Sequence, residues 1–194
     1  MFKLLVVIYK KLYCFTINTI LKFSSNILKI KLFYLKTLGK INKNKYKINT
    51  FESSKELNKV LLIFPNNEED FKVAKYCFRN LSQNNKIEYY YLINNVYLSS
   101  FQFLGTIYGY NYISKKNKVS INKNFFSDDI IEIDFDVIID LNTNFILDIA
   151  MLNNNLNSNY KIGFKSKYSD LFYNIQFKTD TLEDGYNQIN SMLN

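Results

Sequence analysis

The sequence predicts an α/β domain on a mostly parallel sheet, preceded by a basic amphipathic helical segment. Three observations predict it. From residue 58 onward, short apolar runs alternate with stretches of helical periodicity, the order expected of strands joined by helical crossovers. Two of these runs, Lys59 to Phe64 and Phe135 to Leu141, are almost continuously apolar, as strands buried on both faces are. The first 50 residues hold eleven Lys and no Asp or Glu, whereas residues 51–194 carry a net charge of −3. A split of that kind marks a separate unit. The expected organisation is a basic helical segment over 1–45, a linker over 46–57 and one domain over 58–194.

The basic segment has helical spacing. Lys11, Asn18, Lys22, Ser25, Lys29, Lys36 and Lys40 fall on one face at 3.6 residues per turn. Leu, Ile and Phe fill the positions between them, and Gly39 is the expected stop. The longest uncharged run, Leu12 to Leu21, is ten residues, too short to span a bilayer. Lys11, Lys22, Lys29 and Lys36 suit an anionic membrane surface, where lysines near the headgroups contribute on the order of 1 kcal/mol each. The same pattern also fits a helix packed on the domain. Nucleic-acid binding is disfavoured, because the segment is rich in Leu and Ile and contains no Arg. The expected location is cytoplasmic, peripheral to the inner membrane.

The domain begins with the Lys59–Phe64 strand, ended by Pro65. Asn66 or Asn67 can cap a helix whose stripe is Phe71, Ala74, Cys77, Phe78 and Leu81. Lys86 to Ile93 is a second strand, and the crossover length suits a parallel pair. Residues 94–127 give no clear pattern beyond a short strand at Lys118–Ile121. Phe135–Leu141 is the strongest strand, followed by a helix over about 143–153 and a strand at Tyr160–Phe164. An extended segment over 171–177 and a helix over 182–193 close the chain. Tyr89, Tyr90 and Tyr91 alternate across their strand as sheet packing, and Cys77 falls on the core stripe.

Composition removes several chemistries. There is no His, so histidine-based nucleophilic catalysis and histidine zinc sites are excluded. Two cysteines, Cys14 and Cys77, allow neither a disulfide framework nor a four-cysteine zinc site. The acids at 128, 129, 132 and 134 lack the glycine and terminal Glu of a calcium loop. No metal and no cofactor is expected.

Ligands of open α/β sheets bind outside the carboxyl ends of the strands. One such end is Phe64-Pro65-Asn66-Asn67-Glu68-Glu69-Asp70, which has no glycine and three consecutive acids. The acids favour a helix start and oppose a phosphate. The other is Asp140-Leu141-Asn142-Thr143. Asp140, at the end of a buried strand, would be desolvated with its pKa raised, as suits a general base. Alternatively it ties down a neighbouring loop, with Asn142 or Thr143 capping the next helix. Asp134 and Asp136 stand at the wrong end of that strand for a site and are expected to be solvated charges.

The segments Phe135-Asp-Val-Ile-Ile-Asp-Leu-Asn142, Tyr160-Lys-Ile-Gly-Phe164 and Asp170-Leu-Phe-Tyr-Asn174 together resemble the N-terminal half of glycosyltransferase family 9, the ADP-heptose:lipopolysaccharide heptosyltransferases and their relatives. The resemblance implies a single Rossmann-like domain, half of a GT-B fold, facing a glycan or lipid-linked acceptor. It implies surface-glycan or lipopolysaccharide assembly. It places a catalytic base in the first loop, where Asp70 or Glu69 stands at the family's position. Asp140, from the strand end above, is the other candidate base, and Asn142, Asn66 and Asn67 are the candidate substrate contacts. In that family the nucleotide-sugar donor sits mainly on a second Rossmann domain, so a partner chain supplying a donor-binding domain is expected. A non-catalytic structural or interaction protein is the alternative reading of the same residues.

Overall fold

The computed structural model describes residues 26–41, 57–81, 86–113, 118–122, 125 and 130–193. The chain divides into two compact units, Met1–Asn42 and Lys43–Asn194.

In the first unit, residues 26–37 form helix α1. It stops at Gly39, whose φ of 66° is the left-handed conformation that glycine adopts without strain. The Gly39 and Lys40 amides donate to the Lys36 and Leu35 carbonyls at 3.1 and 3.0 Å, the paired bonds of a Schellman turn. Leu32 is buried, and Leu28 and Leu35, one turn to either side, are half-buried. Lys29 and Lys36 are exposed. Lys40 falls past the stop, so it does not extend the lysine face as the spacing suggests. Lys11 and Lys22 lie outside the described residues.

The second unit is a seven-stranded sheet between helices, the α/β Rossmann-like architecture the sequence predicts. The strands are β1 (Lys59–Ile63), β2 (Glu88–Asn94), β3 (Thr106–Ile113), β4 (Lys118–Ile121), β5 (Phe135–Asp140), β6 (Ser158–Phe164) and β7 (Ile175–Phe177). Their order across the sheet is β4-β3-β2-β1-β5-β6-β7. Every pairing is parallel except β3 with the edge strand β4. Helices α2 (Glu68–Cys77) and α4 (Leu182–Ser191) cover one face; α3 (Leu147–Asn155) covers the other.

The central strands are apolar throughout because both of their faces are covered. Val60 and Leu62 pack into the core under α2 and α4, while Leu61 and Ile63 pack under α3. The tyrosine run divides as alternation requires: Tyr89 and Tyr91 join the first core and Tyr90 the second. Cys77 is buried in the first core, and burial pushes its thiol pKa up.

Several elements differ from expectation. Strand β3, TIYGYNYI, was not legible in the sequence, because no apolar run marks it. Helix α3 starts at Leu147, four residues later than expected, and no side chain caps it. Of the 171–177 segment only Ile175–Phe177 is extended, as the short β7, and a 3₁₀ turn over Ser169–Leu171 precedes it. Asp136 is more than a solvated charge: its Oδ2 accepts the Asn58 and Lys59 amides at 2.8 and 3.0 Å, which fixes the entry of β1.

Candidate functional site

From the centre of the sheet the chain winds outward in one direction through β1, β2, β3 and β4. It then returns and winds the other way through β5, β6 and β7. The reversal lies between β1 and β5, and a crevice at the carboxyl ends of those strands is where doubly wound sheets place ligands. Asp70, Asp140, Asn66, Asn67 and Asn142 all come from the two segments that leave these ends. The fold therefore brings the five sequence-selected residues together.

Their contacts are largely with one another. Asn67 caps α2, its Oδ1 accepting the Asp70 amide at 2.8 Å. The Asn66 amide donates to Asn142 Oδ1 at 3.0 Å, which closes β1's loop onto β5's. Asp70 is buried in the first turn of α2, and its Oδ2 accepts the Thr143 hydroxyl at 2.6 Å. Thr143 thus ties the two loops together instead of capping a helix.

Asp140 is 3% exposed. Its Oδ1 accepts the Asn142 amide at 3.0 Å and the Asn142 Nδ2 at 2.8 Å. Its Oδ2 accepts the Tyr173 hydroxyl at 2.5 Å. Burial pushes the carboxyl pKa up, and these bonds from Tyr173 and Asn142 hold the rise in check. Both oxygens already have protein donors, so the group is held inside the fold. For it to take a proton from a substrate, Tyr173 or Asn142 would first have to move.

Three tyrosines that sequence reasoning did not select support this end of the sheet. Tyr110, from β3, donates to the Phe64 carbonyl at 3.0 Å. Tyr186, from α4, donates to the Leu141 carbonyl at 2.9 Å. Tyr173 donates to Asp140. Burial raises the pKa of all three phenols, so each remains a donor. The Tyr110 and Tyr186 bonds satisfy the carbonyls just past the ends of β1 and β5, and the Tyr173 bond satisfies a buried carboxylate oxygen at the end of β5. One signal was available: Gly163 in the Tyr160–Phe164 segment. A Cβ there would lie 2.9 Å from the Tyr173 ring, so the glycine makes room for the tyrosine that holds Asp140.

Lys161, in the same segment, is 2% exposed beneath α3, and its Nζ donates to the Asn154 carbonyl in that helix's last turn at 3.3 Å. Burial pushes its pKa down to about 8. A cation at a helix C-terminus interacts favourably with the dipole. Among the described residues no group of His, Cys, Asp and Glu is placed to hold a metal ion. Glu68, Glu69 and Asp70 occupy the first turn of α2, where a phosphate would otherwise find the helix N-terminus.

No family model and no curated protein matches this sequence. A solved structure, the E. coli heptosyltransferase WaaC with ADP, is similar in fold, with a TM-score of 0.52 and 13% identity. The similarity covers 69% of this chain and 46% of that one, so this chain spans less than half the length of that enzyme. At that identity the likeness is one of fold.

Proposed function

We propose that this chain is a glycosyltransferase-like half-domain, related to heptosyltransferases. It faces the acceptor in surface-glycan assembly at the cytoplasmic side of the inner membrane. The donor-binding half comes from another polypeptide segment. The observation that carries the reading is the coincidence of fold and motif. The chain is similar in fold to a heptosyltransferase, and the segments that resemble that family form β5, β6 and the Tyr173 support at the carboxyl end of β5. Asn66 and Asn67 are half-exposed at this end of the sheet, and amide side chains recognise sugar hydroxyls without a net charge.

A second reading, a non-catalytic Rossmann-like interaction protein, is favoured by one observation: the Asp140 carboxylate is buried with both oxygens engaged.

Ligand-induced thermal shift separates the two readings. The protein is melted with surface-glycan oligosaccharides, then with ADP-, UDP-, GDP- and CDP-sugars. A ligand that binds only the folded state adds about 2.7 kcal/mol of stability at a hundredfold excess over its Kd. The half-domain reading expects stabilisation by an oligosaccharide acceptor and little by nucleotide sugars alone. No shift with any oligosaccharide would overturn it in favour of the second reading.

A further inference from the structure

Helix α1 carries two apolar rows of different fate. Leu28, Leu32 and Leu35 form the covered row. Ile27, Ile30, Phe33 and Tyr34, with Leu38 just past the last helical residue, are 41%, 68%, 70%, 61% and 49% exposed. At 100° per residue these five side chains span an arc of about 140° on the side away from the covered row; Asn26 and Thr37 also fall inside it, the Thr37 hydroxyl donating to the Tyr34 carbonyl at 2.8 Å. Lys31 borders the arc on one edge and Lys29 on the other, with Lys36 beyond Lys29, and all three are exposed. A soluble helix with one face already covered would present polar side chains on the other.

We infer that this exposed row is a docking surface for an anionic lipid bilayer, on which α1 lies flat. Charge complementarity selects that occupant. Lysines on both edges of an apolar arc can run their stems along the acyl boundary and place their ammonium groups among anionic headgroups. Neither α1 nor the wider segment over residues 1–50 contains an acid to oppose this. Tyr34, with a polar tip on an apolar ring, suits the depth of the headgroups. The docking is interfacial: no described helix is long and apolar enough to cross a membrane. The inference uses residues far in sequence from Asp70 and Asp140, and no sugar enters its test.

The test is co-sedimentation of the full chain with vesicles of phosphatidylcholine alone and with vesicles containing phosphatidylglycerol. The wild type is expected to pellet with the anionic vesicles and to be released by added salt. Ile30→Asp with Phe33→Asp is expected to lower that partitioning by at least about tenfold. Lys29→Glu with Lys31→Glu is expected to lower it by at least about tenfold on anionic vesicles only. All four positions are exposed, so an unchanged thermal melt is expected for both variants. Partitioning by the variants equal to wild type, or no pelleting of the wild type, would overturn the inference. So would a wild-type dimer in light scattering that the Ile30/Phe33 variant dissolves in the absence of lipid, because the row would then belong to a second copy of the chain.

Discussion

Tyr173→Phe removes one oxygen from the support of the central sheet. The ring still fits against Gly163, so no cavity forms and the lost interaction is the hydroxyl bond to Asp140 Oδ2. Leaving a buried acceptor without its donor costs roughly 1–3 kcal/mol, with charged acceptors at the upper end. Asp140 keeps its two bonds from Asn142, so we expect a loss of about 2 kcal/mol at neutral pH. In a chain of this size that lowers Tm by roughly 4–8 °C.

The pH dependence has a definite sign. Asp140 has its carboxyl raised above 3.8 in the fold, so the folded state holds this proton to higher pH than the unfolded chain. The group's contribution to stability is greatest below the unfolded value and is lost as pH rises through the folded one. The Tyr173 bond favours the anion, so removing it raises the folded value further and deepens the loss on the alkaline side. Urea melts of wild type and Tyr173→Phe at about pH 7 and about pH 4.5 should therefore give a smaller difference at the lower pH. A difference that is equal at both pH values would refute a bond to an ionised Asp140. A difference below about 0.5 kcal/mol at neutral pH would refute the cost assigned to the unsatisfied acceptor.

Gly163→Ala would place a Cβ 2.9 Å from the Tyr173 ring, closer than real Cβ contacts come. A loss of about 1–3 kcal/mol in urea melts is expected, and Tyr173→Leu in the same chain should recover part of it. Lys161→Met removes a buried ammonium. With the folded pKa near 8 and the ordinary value 10.5, the native cation costs stability below about pH 8, and the loss is recovered as pH rises toward 10.5. The variant should be more stable than wild type by about 1–3 kcal/mol at neutral pH. That advantage should vanish in melts above about pH 10.5.

Burial decided what could be read from the sequence. Strands β1 and β5 are covered on both faces, so their composition alone gives them away. Strand β3 has a mixed environment: Tyr108, Gly109 and Tyr110 are buried, while Thr106, Ile107, Asn111 and Ile113 are exposed. Its pattern resembles a loop rich in aromatics. The acids and amides at the strand ends were legible because strand ends are where doubly wound sheets gather polar groups. Tyr110, Tyr173 and Tyr186 were not. Each acts through a contact across at least 33 residues of chain, and sequence periodicity reports only local faces. Thr143 has the same cause: it looks like a helix cap until the fold places Asp70 beside it.

The strand order has a consequence for synthesis on the ribosome. Strand β1 lies at the middle of the sheet, yet of the described strands it is made first, and β2, β3 and β4 all extend from one of its edges. The other edge waits for β5, whose last residue, Asp140, comes 77 positions after Ile63 (140 minus 63). At about 5–20 residues per second the wait is roughly 4–15 s. During it, a row of free backbone donors and acceptors flanked by Val60, Leu61, Leu62 and Ile63 stands open on a nascent chain. That is the geometry of a sheet edge able to recruit a second nascent chain. The charged Asp136, which arrives one residue into β5 and takes both the Asn58 and Lys59 amides, is among the first groups to close that edge.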